Sequence, residues 1–120
     1  MKIITTELQQ IAQTEPSILK DLAADLGIIA DETRLRILDL LVSGEQCVCD
    51  ITKALELSQP LASYHLAVLR AAGLVRTRRD ARWAYYSLNW QRLQGIVASC
   101  QQLFDSGRVS NVPTPKARCP

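Results

Sequence analysis

The feature that most restricts this chain is an abrupt change of character at Gly73. Ahead of it, Ser58-Gln59-Pro60 opens a stretch in which Ala62, Leu66 and Leu69 recur at helical spacing. Behind it, Leu74 to Arg79 and Trp83 to Leu88 are rich in Val, Thr, Tyr and Trp. Ser58 can accept a hydrogen bond from the free N–H groups that open a helix, and Pro60 fits a first turn, where a missing N–H costs nothing. Gly73 supplies the stop. The two β-favouring runs, separated by a tight polar turn, predict a hairpin. With 120 residues there is room for one ordinary domain around this helix-to-hairpin step.

The flanking segments are helical. After Pro16, the residues Ile18, Leu19, Leu22, Leu26 and Ile29 predict a helix from about Ser17 to Ile29. Asp31 is a good N-cap for a second helix, Glu32 to Ser43, with an apolar stripe of Leu35, Leu38, Leu41 and Val42 ended by Gly44. A short third helix follows Cys47-Val48-Cys49, with Asp50 near its start and Ile51, Ala54 and Leu55 turned inward, closed by Glu56-Leu57. Beyond the hairpin, Leu93, Ile96, Val97, Cys100, Leu103 and Phe104 predict a one-sided helix from about Trp90 to Asp105. Ile3, Ile4, Leu8 and Ile11 hint at a short amphipathic helix, and the proline-bearing tail from Gly107 is expected to be loose. The expected division is residues 1–16 as an N-terminal extension, 17–106 as a DNA-binding and dimerisation domain, and 107–120 as a flexible tail. Helix, helix, short helix, capped helix and hairpin is the order of a winged helix-turn-helix: mainly α with a β-hairpin, the capped helix entering the major groove and the hairpin lying along the backbone.

Charge supports that reading. Residues 1–60 carry five Lys or Arg against ten Asp or Glu, whereas residues 61–120 carry nine against two, so one half is net −5 and the other net +7. A basic half of this kind suits a polyanion. On the fourth helix the candidate contacts are Ser58, Gln59, Pro60, Ser63, Tyr64 and His65. Gln59, Ser63 and Tyr64 are the base-edge candidates, since Gln can bond adenine bidentately and Ser can pair with several bases. His65 is expected to bond backbone or phosphate rather than a metal. Arg78, Arg79 and Arg82 suit phosphates or a narrow minor groove, and Trp83, Tyr85 and Tyr86 are expected in strand packing. A solvated polar face, or a module that only dimerises, would leave the arginines around the hairpin unexplained.

Other classes are disfavoured by composition. At 48% hydrophobic and 22% charged residues the chain is neither disordered nor collagen-like. No run approaches the roughly 18–20 apolar residues that span a bilayer, and the first residues lack a secretory signal. The expectation is a cytoplasmic protein with no membrane association, whose four cysteines are free thiols, ligands or redox sensors rather than structural disulfides. A thiol enzyme using Cys47 and Cys49 is a poor reading: there is one histidine, no glycine-rich phosphate loop and no acid–base pair at a suggestive spacing, and no organic cofactor is expected.

Asp31-Glu32-Thr33-Arg34-Leu35-Arg36-Ile37-Leu38, Cys47-Val48-Cys49-Asp50-Ile51, Ser58-Gln59-Pro60 with Ser63 and His65-Leu66, Leu69-Arg70-Ala71-Ala72-Gly73-Leu74-Val75 and Tyr85-Tyr86-Ser87-Leu88 together resemble the ArsR/SmtB family of bacterial metal- and metalloid-responsive repressors. The likeness covers about residues 18 to 105. It implies a homodimer built through the first and last long helices, which binds an imperfect inverted repeat in a double-stranded operator and leaves it when an inducer binds. The stripe from Leu93 to Phe104 is independently a candidate dimer seam, and a symmetric dimer reads a near-palindrome.

The resemblance also implies the sensing chemistry. In the arsenic-responsive branch thiolates of a C-V-C-D-L-C type motif hold the metalloid. Cys47 and Cys49 match the first two, while Thr52 stands where the third would be. As(III) and Sb(III), the expected inducers, favour three thiolates in a pyramid; zinc or cadmium would prefer four ligands. A further ligand must come from Cys100 or Cys119. Cys100 is alternatively a small apolar residue in the dimer interface, Cys119 a tail thiol without a role, and the Cys47–Cys49 pair core packing. Two thiols one residue apart at a helix start favour ligation, because that position favours thiolate. The last-helix zinc site of relatives is missing, with Trp90, Arg92, Leu103 and Ser106 where Asp, His, His and Glu are expected. Alternative inducers are oxidants, persulfides, cadmium, lead or zinc. Asp80-Ala81 departs from the Glu-Gly or Asp-Gly of many relatives, and since alanine resists positive φ, the wing tip is expected to be longer or less ordered.

Overall fold

A computed structural model describes residues 15–105; the expected N-terminal helix, the loose tail and Cys119 lie outside them. The described chain runs α1 (Pro16–Ile29), α2 (Glu32–Val42), β1 (Gln46–Cys47), α3 (Val48–Leu55), α4 (Gln59–Ala71), β2 (Val75–Asp80), β3 (Trp83–Leu88) and α5 (Trp90–Leu103). Each start has a local cause. Pro16 sits at the head of α1, the Asp31 carboxylate accepts the Arg34 amide at 3.0 Å, and the Asn89 side chain accepts the Arg92 amide at 3.3 Å. At the end of α4, Gly73 has φ +77°, and the amides of Gly73 and Leu74 reach the carbonyls of Arg70 and Leu69. That left-handed closure is what glycine permits at low cost, and it turns the chain directly into the wing.

The core joins α2, α3, α4 and the root of the wing. Ile37, Leu41, Ile51, Leu66, Leu69 and Leu74 are its largest fully buried side chains, each stabilising the fold by roughly 1.5–3 kcal/mol through apolar burial. On α2 the buried arc is Ile37, Leu38 and Leu41, whereas Leu35 and Val42 are more than half exposed. At 100° per residue those two fall just past the edge of the arc, so the expected stripe was rotated. Ala54, expected inward, is exposed.

Strand β1 is an addition to the expected hairpin. It pairs antiparallel with β3, Gln46 opposite Tyr86 and Cys47 opposite Tyr85, giving a three-stranded sheet in the order β1-β3-β2. Helix α3 accordingly starts at Val48, one residue beyond Cys47 rather than after Cys49. The wing is also tighter than expected. Asp80 pairs with Trp83, leaving only Ala81 and Arg82 in the turn, with Ala81 at φ +56°. Alanine is strained there, but continuous pairing of β2 and β3 over-determines the turn.

Helices α1 and α5 pack against each other and leave their outer faces bare. Only Leu22 of α1 and Ile96 of α5 are buried, while Ile18, Leu19, Leu26, Trp90, Val97 and Phe104 are exposed. Arg92 braces this pair against the end of α4. Its guanidinium donates to both carboxylate oxygens of Asp25 at 2.6 and 3.2 Å and to the Ala72 carbonyl at 3.3 Å. Among the described residues no helix is long and apolar enough to cross a membrane.

Candidate nucleic-acid interface and thiol site

Helices α3 and α4 form the helix-turn-helix. Glu56 closes α3 at φ +54°, and Ser58 Oγ accepts the Leu61 amide at 3.3 Å to open α4. With Ala62, Leu66 and Leu69 buried, the helix turns Ser58, Gln59, Pro60, Ser63 and Tyr64 outward, the last 58% exposed. Ser58 Oγ is used by the cap and the Tyr64 ring stands edge-on to His65 at 5.1 Å.

His65 departs from this group. It is buried, and its Nδ1 accepts Arg34 Nε–H at 3.2 Å; Arg34 also donates to the Ile28 carbonyl at 2.9 Å. The expected bond to backbone or phosphate is therefore replaced by one to a side chain of α2. His65 ties the reading helix to the scaffold rather than extending it toward DNA. The signal was present in the sequence: 62, 65, 66 and 69 are one helical face. Asp31 completes the corner. The Arg34 amide bonded to its carboxylate lowers its pKa, against a smaller opposing effect of desolvation.

Arg78 already has a partner within the protein. Its guanidinium makes a forked bond to Glu45 at 2.7 and 3.2 Å and lies 4.6 Å from the centre of the Tyr85 ring. The bonded arginine lowers the Glu45 pKa and Glu45 in turn raises that of Arg78. Glu45, which sequence reasoning missed, thus holds the wing to the segment leading into β1. Arg79 and Arg82 are exposed and lie in no ion pair among the described residues, Arg82 resting near the Trp83 ring.

The thiols lie at the hinge of these parts. Cys47 belongs to β1 and is the N-cap of α3, its Sγ accepting the Asp50 amide at 3.4 Å. Cys47 and Cys49 are joined as a disulfide, where free thiols, ligands or redox sensors rather than a structural disulfide were expected; the i, i+2 spacing across a helix start brings the sulfurs together. Among the described residues one cluster gathers possible metal ligands: Cys47, Cys49 and Asp50, with donor atoms all within 4.8 Å. Cys100 is not part of it. It sits half-buried on α5 against the core, so a three-sulfur site with Cys47 and Cys49 is not assembled within the described chain. Arg92, one of the residues that depart from the last-helix zinc pattern the resemblance implies, is held by Asp25.

A groove of about 390 Å³ connects the two halves of the site. Val48, Cys49 and Thr52 of α3, Gln59 and Ser63 of α4, and Arg79, Arg82, Trp83, Ala84 and Tyr86 of the wing line it. The Cys49 sulfur, two base-edge candidates and two guanidinium groups that lie in no ion pair among the described residues therefore share one concavity. Linear order could not reveal this, since the segments meet only through the turn of the wing.

A helix-turn-helix joined to a basic hairpin is the architecture of the winged-helix class of DNA-binding regulators. Residues 31–77 match the family model described as bacterial regulatory protein, arsR family. The chain is 44% identical over 81 residues to the arsenic resistance transcriptional regulator ArsR1 of Pseudomonas putida, covering 67% of this chain and 63% of that protein. It is 42% identical over 78 residues to the arsenical resistance operon repressor of Staphylococcus aureus, covering 65% and 75%. Among solved structures, HlyU from Vibrio cholerae superimposes with a TM-score of 0.63 at 34% identity, over 76% of this chain and 98% of that one. The chain belongs to the ArsR family of transcriptional regulators, which are DNA-binding proteins and not enzymes.

Proposed function

We propose that the protein is a cytoplasmic homodimeric repressor, released from an inverted-repeat operator when trivalent arsenic or antimony binds the reduced Cys47–Cys49 pair. Ser58, Gln59, Pro60, Ser63 and Tyr64 face the major groove, and Arg79 and Arg82 take phosphates. The bare apolar faces of α1 and α5 cover each other in a dimer; Trp90, Val97 and Phe104 expose too much apolar surface for a face left in water. The observation that carries the reading is the position of Cys47, bonded into the sheet beside wing strand β3 while capping the helix ahead of α4.

The donor set fits a thiophilic ion in part. Each thiol replaces one hydroxide of arsenious acid, its proton leaving with that hydroxide as water. Soft As(III) and Sb(III) prefer sulfur to the Asp50 carboxylate, so the third ligand is a sulfur from outside the cluster, Cys119 or Cys100. Drawing Cys47 and Cys49 onto one ion shifts the strand and the helix start together, and with them the spacing of wing and reading helix. Fluorescence anisotropy of a labelled operator, with the protein kept reduced, tests this. Saturating arsenite or antimonite should release the DNA, and unchanged affinity overturns metalloid sensing. Ultraviolet titration of Cys100→Ser and Cys119→Ser variants counts the sulfurs.

A second reading is favoured by the disulfide: oxidation of the same pair would be the release signal. Operator affinity compared between oxidised and reduced protein, without metalloid, separates the two.

A further inference from the structure

We infer that the groove between α3, α4 and the wing is a binding and modification site for a small carboxylate-bearing thiol, which joins Cys49 as a mixed disulfide and closes the reading surface. The inference shares the DNA-facing assignment of α4 and the wing made above, but it is independent of metalloid sensing.

Three observations support it. First, the groove has ligand dimensions: about 390 Å³, within the roughly 300–1,000 Å³ of small-molecule sites. Second, its charge is one-sided. Arg79 and Arg82 line it and no acidic side chain does; the Asp50 carboxylate stands within 4.8 Å of the Cys49 sulfur, so it is at the arginine end of the groove that an entering carboxylate meets two guanidinium groups. Third, the two sulfurs of the disulfide are unequal. Cys47 is only 6% exposed and its Sγ already accepts the Asp50 amide, whereas Cys49 is half-buried and opens onto the groove.

That inequality dictates the chemistry. An incoming thiolate can reach Cys49 Sγ. It forms the new S–S bond there as the Cys47–Cys49 bond breaks, and the bonding pair departs on Cys47 as thiolate. The Asp50 amide at the helix N-terminus is in place to stabilise that leaving group. One disulfide and one thiolate become one mixed disulfide and one thiolate, so no further oxidant is consumed. The carboxylates of the bound thiol then occupy Arg79 and Arg82, and its body fills the space beside Gln59, Ser63 and Trp83. Phosphate and base edge lose their partners together. Metalloid capture by contrast needs both thiols free, so the adduct and the ion are mutually exclusive.

The test uses three thiols of different charge, supplied as their symmetrical disulfides to Cys47→Ser protein: anionic glutathione, neutral mercaptoethanol and cationic cysteamine, with the arginine substitutions separating charge from size. Labelling of Cys49 is followed by intact mass and peptide mapping, normalised to a cysteine peptide. Two partly exposed ion pairs predict about tenfold preference for glutathione over the neutral thiol, with cysteamine slowest. The preference should collapse in Arg79→Gln/Arg82→Gln. If Cys47→Ser does not fold, the oxidised wild-type chain is treated with the three reduced thiols, quenched in acid and mapped for the same order. Equal labelling by all three, an order that survives the double substitution, or adducts found on Cys47 overturn the proposal. The purified glutathione adduct should bind operator more weakly than unmodified protein and recover with dithiothreitol; undiminished binding overturns the closure of the reading surface. Arsenite is absent throughout, so failure here leaves metalloid sensing intact, and failure of arsenite release leaves this result intact.

Discussion

Ala81 and His65 show how far single residues can be read. At Ala81 the chain adopts φ +56° in a two-residue turn, a region that costs an L-residue roughly 1–2 kcal/mol. Ala81→Gly should therefore stabilise the protein by about 0.5–1 kcal/mol once the greater freedom of unfolded glycine is offset, seen as a higher urea midpoint with an unchanged slope. The alanine itself was the correct warning; what it could not tell was that strand pairing would impose the tight turn anyway. At His65, loss of the imidazole leaves Arg34 short of a part-buried acceptor. His65→Ala should cost about 1–3 kcal/mol of stability while leaving the salt dependence of operator binding unchanged, because no phosphate contact is removed. Its fate was legible from helical spacing, but being the only histidine, and polar, drew it toward the DNA list.

At the scale of elements, caps and ladders carry the argument. Ser58 opens α4, and Ser58→Ala should lower stability by about 1 kcal/mol, read as a lower thermal midpoint. The wing is anchored by Glu45 to Arg78 and the second helix is capped by Asp31. Both carboxylates are held below their ordinary pKa, first by the Arg78 side chain and by the Arg34 amide respectively. A depressed folded pKa means stability present above the unfolded value and lost as pH falls through the folded one. Acid titration should thus loosen the wing below about pH 4.5, and Glu45→Gln should flatten that part of the curve, as followed by tryptophan fluorescence. The boundaries of α1, α2, α4 and the hairpin were legible to within a few residues because proline, aspartate, serine and glycine punctuate them. Strand β1 was not: two residues have no periodicity, and Gln46–Cys47 is a strand only because Tyr85 and Tyr86 lie alongside.

For the whole molecule the outcome rests on two surfaces. If Arg79 takes a phosphate, Arg79→Gln should reduce the slope of log affinity against log salt by about 1, measured by anisotropy across a salt series. If α1 and α5 form the seam, Val97→Glu should shift sedimentation toward monomer and weaken operator binding, since one reading helix cannot span two half-sites. The apolar stripe of α5 was plain in the sequence; that only Ile96 is buried by its own chain required the fold. The separation of the wing arginines, Arg78 paired with Glu45 and Arg79 and Arg82 in no ion pair among the described residues, was likewise settled by a residue 33 positions away.

By itself the sequence determined which segments are helix and which are hairpin, where the proline- and cap-marked ones begin, which half is basic, and that paired cysteines stand ahead of a capped reading helix. These are local consequences of side-chain periodicity, capping chemistry and charge. The tertiary structure alone decided that Cys47 joins the wing's sheet, that Cys100 stays apart from it, and that Cys49 shares a groove with Gln59, Ser63, Arg79 and Arg82. Those facts depend on which faces meet when distant segments bury a common core, and no spacing along the chain encodes that.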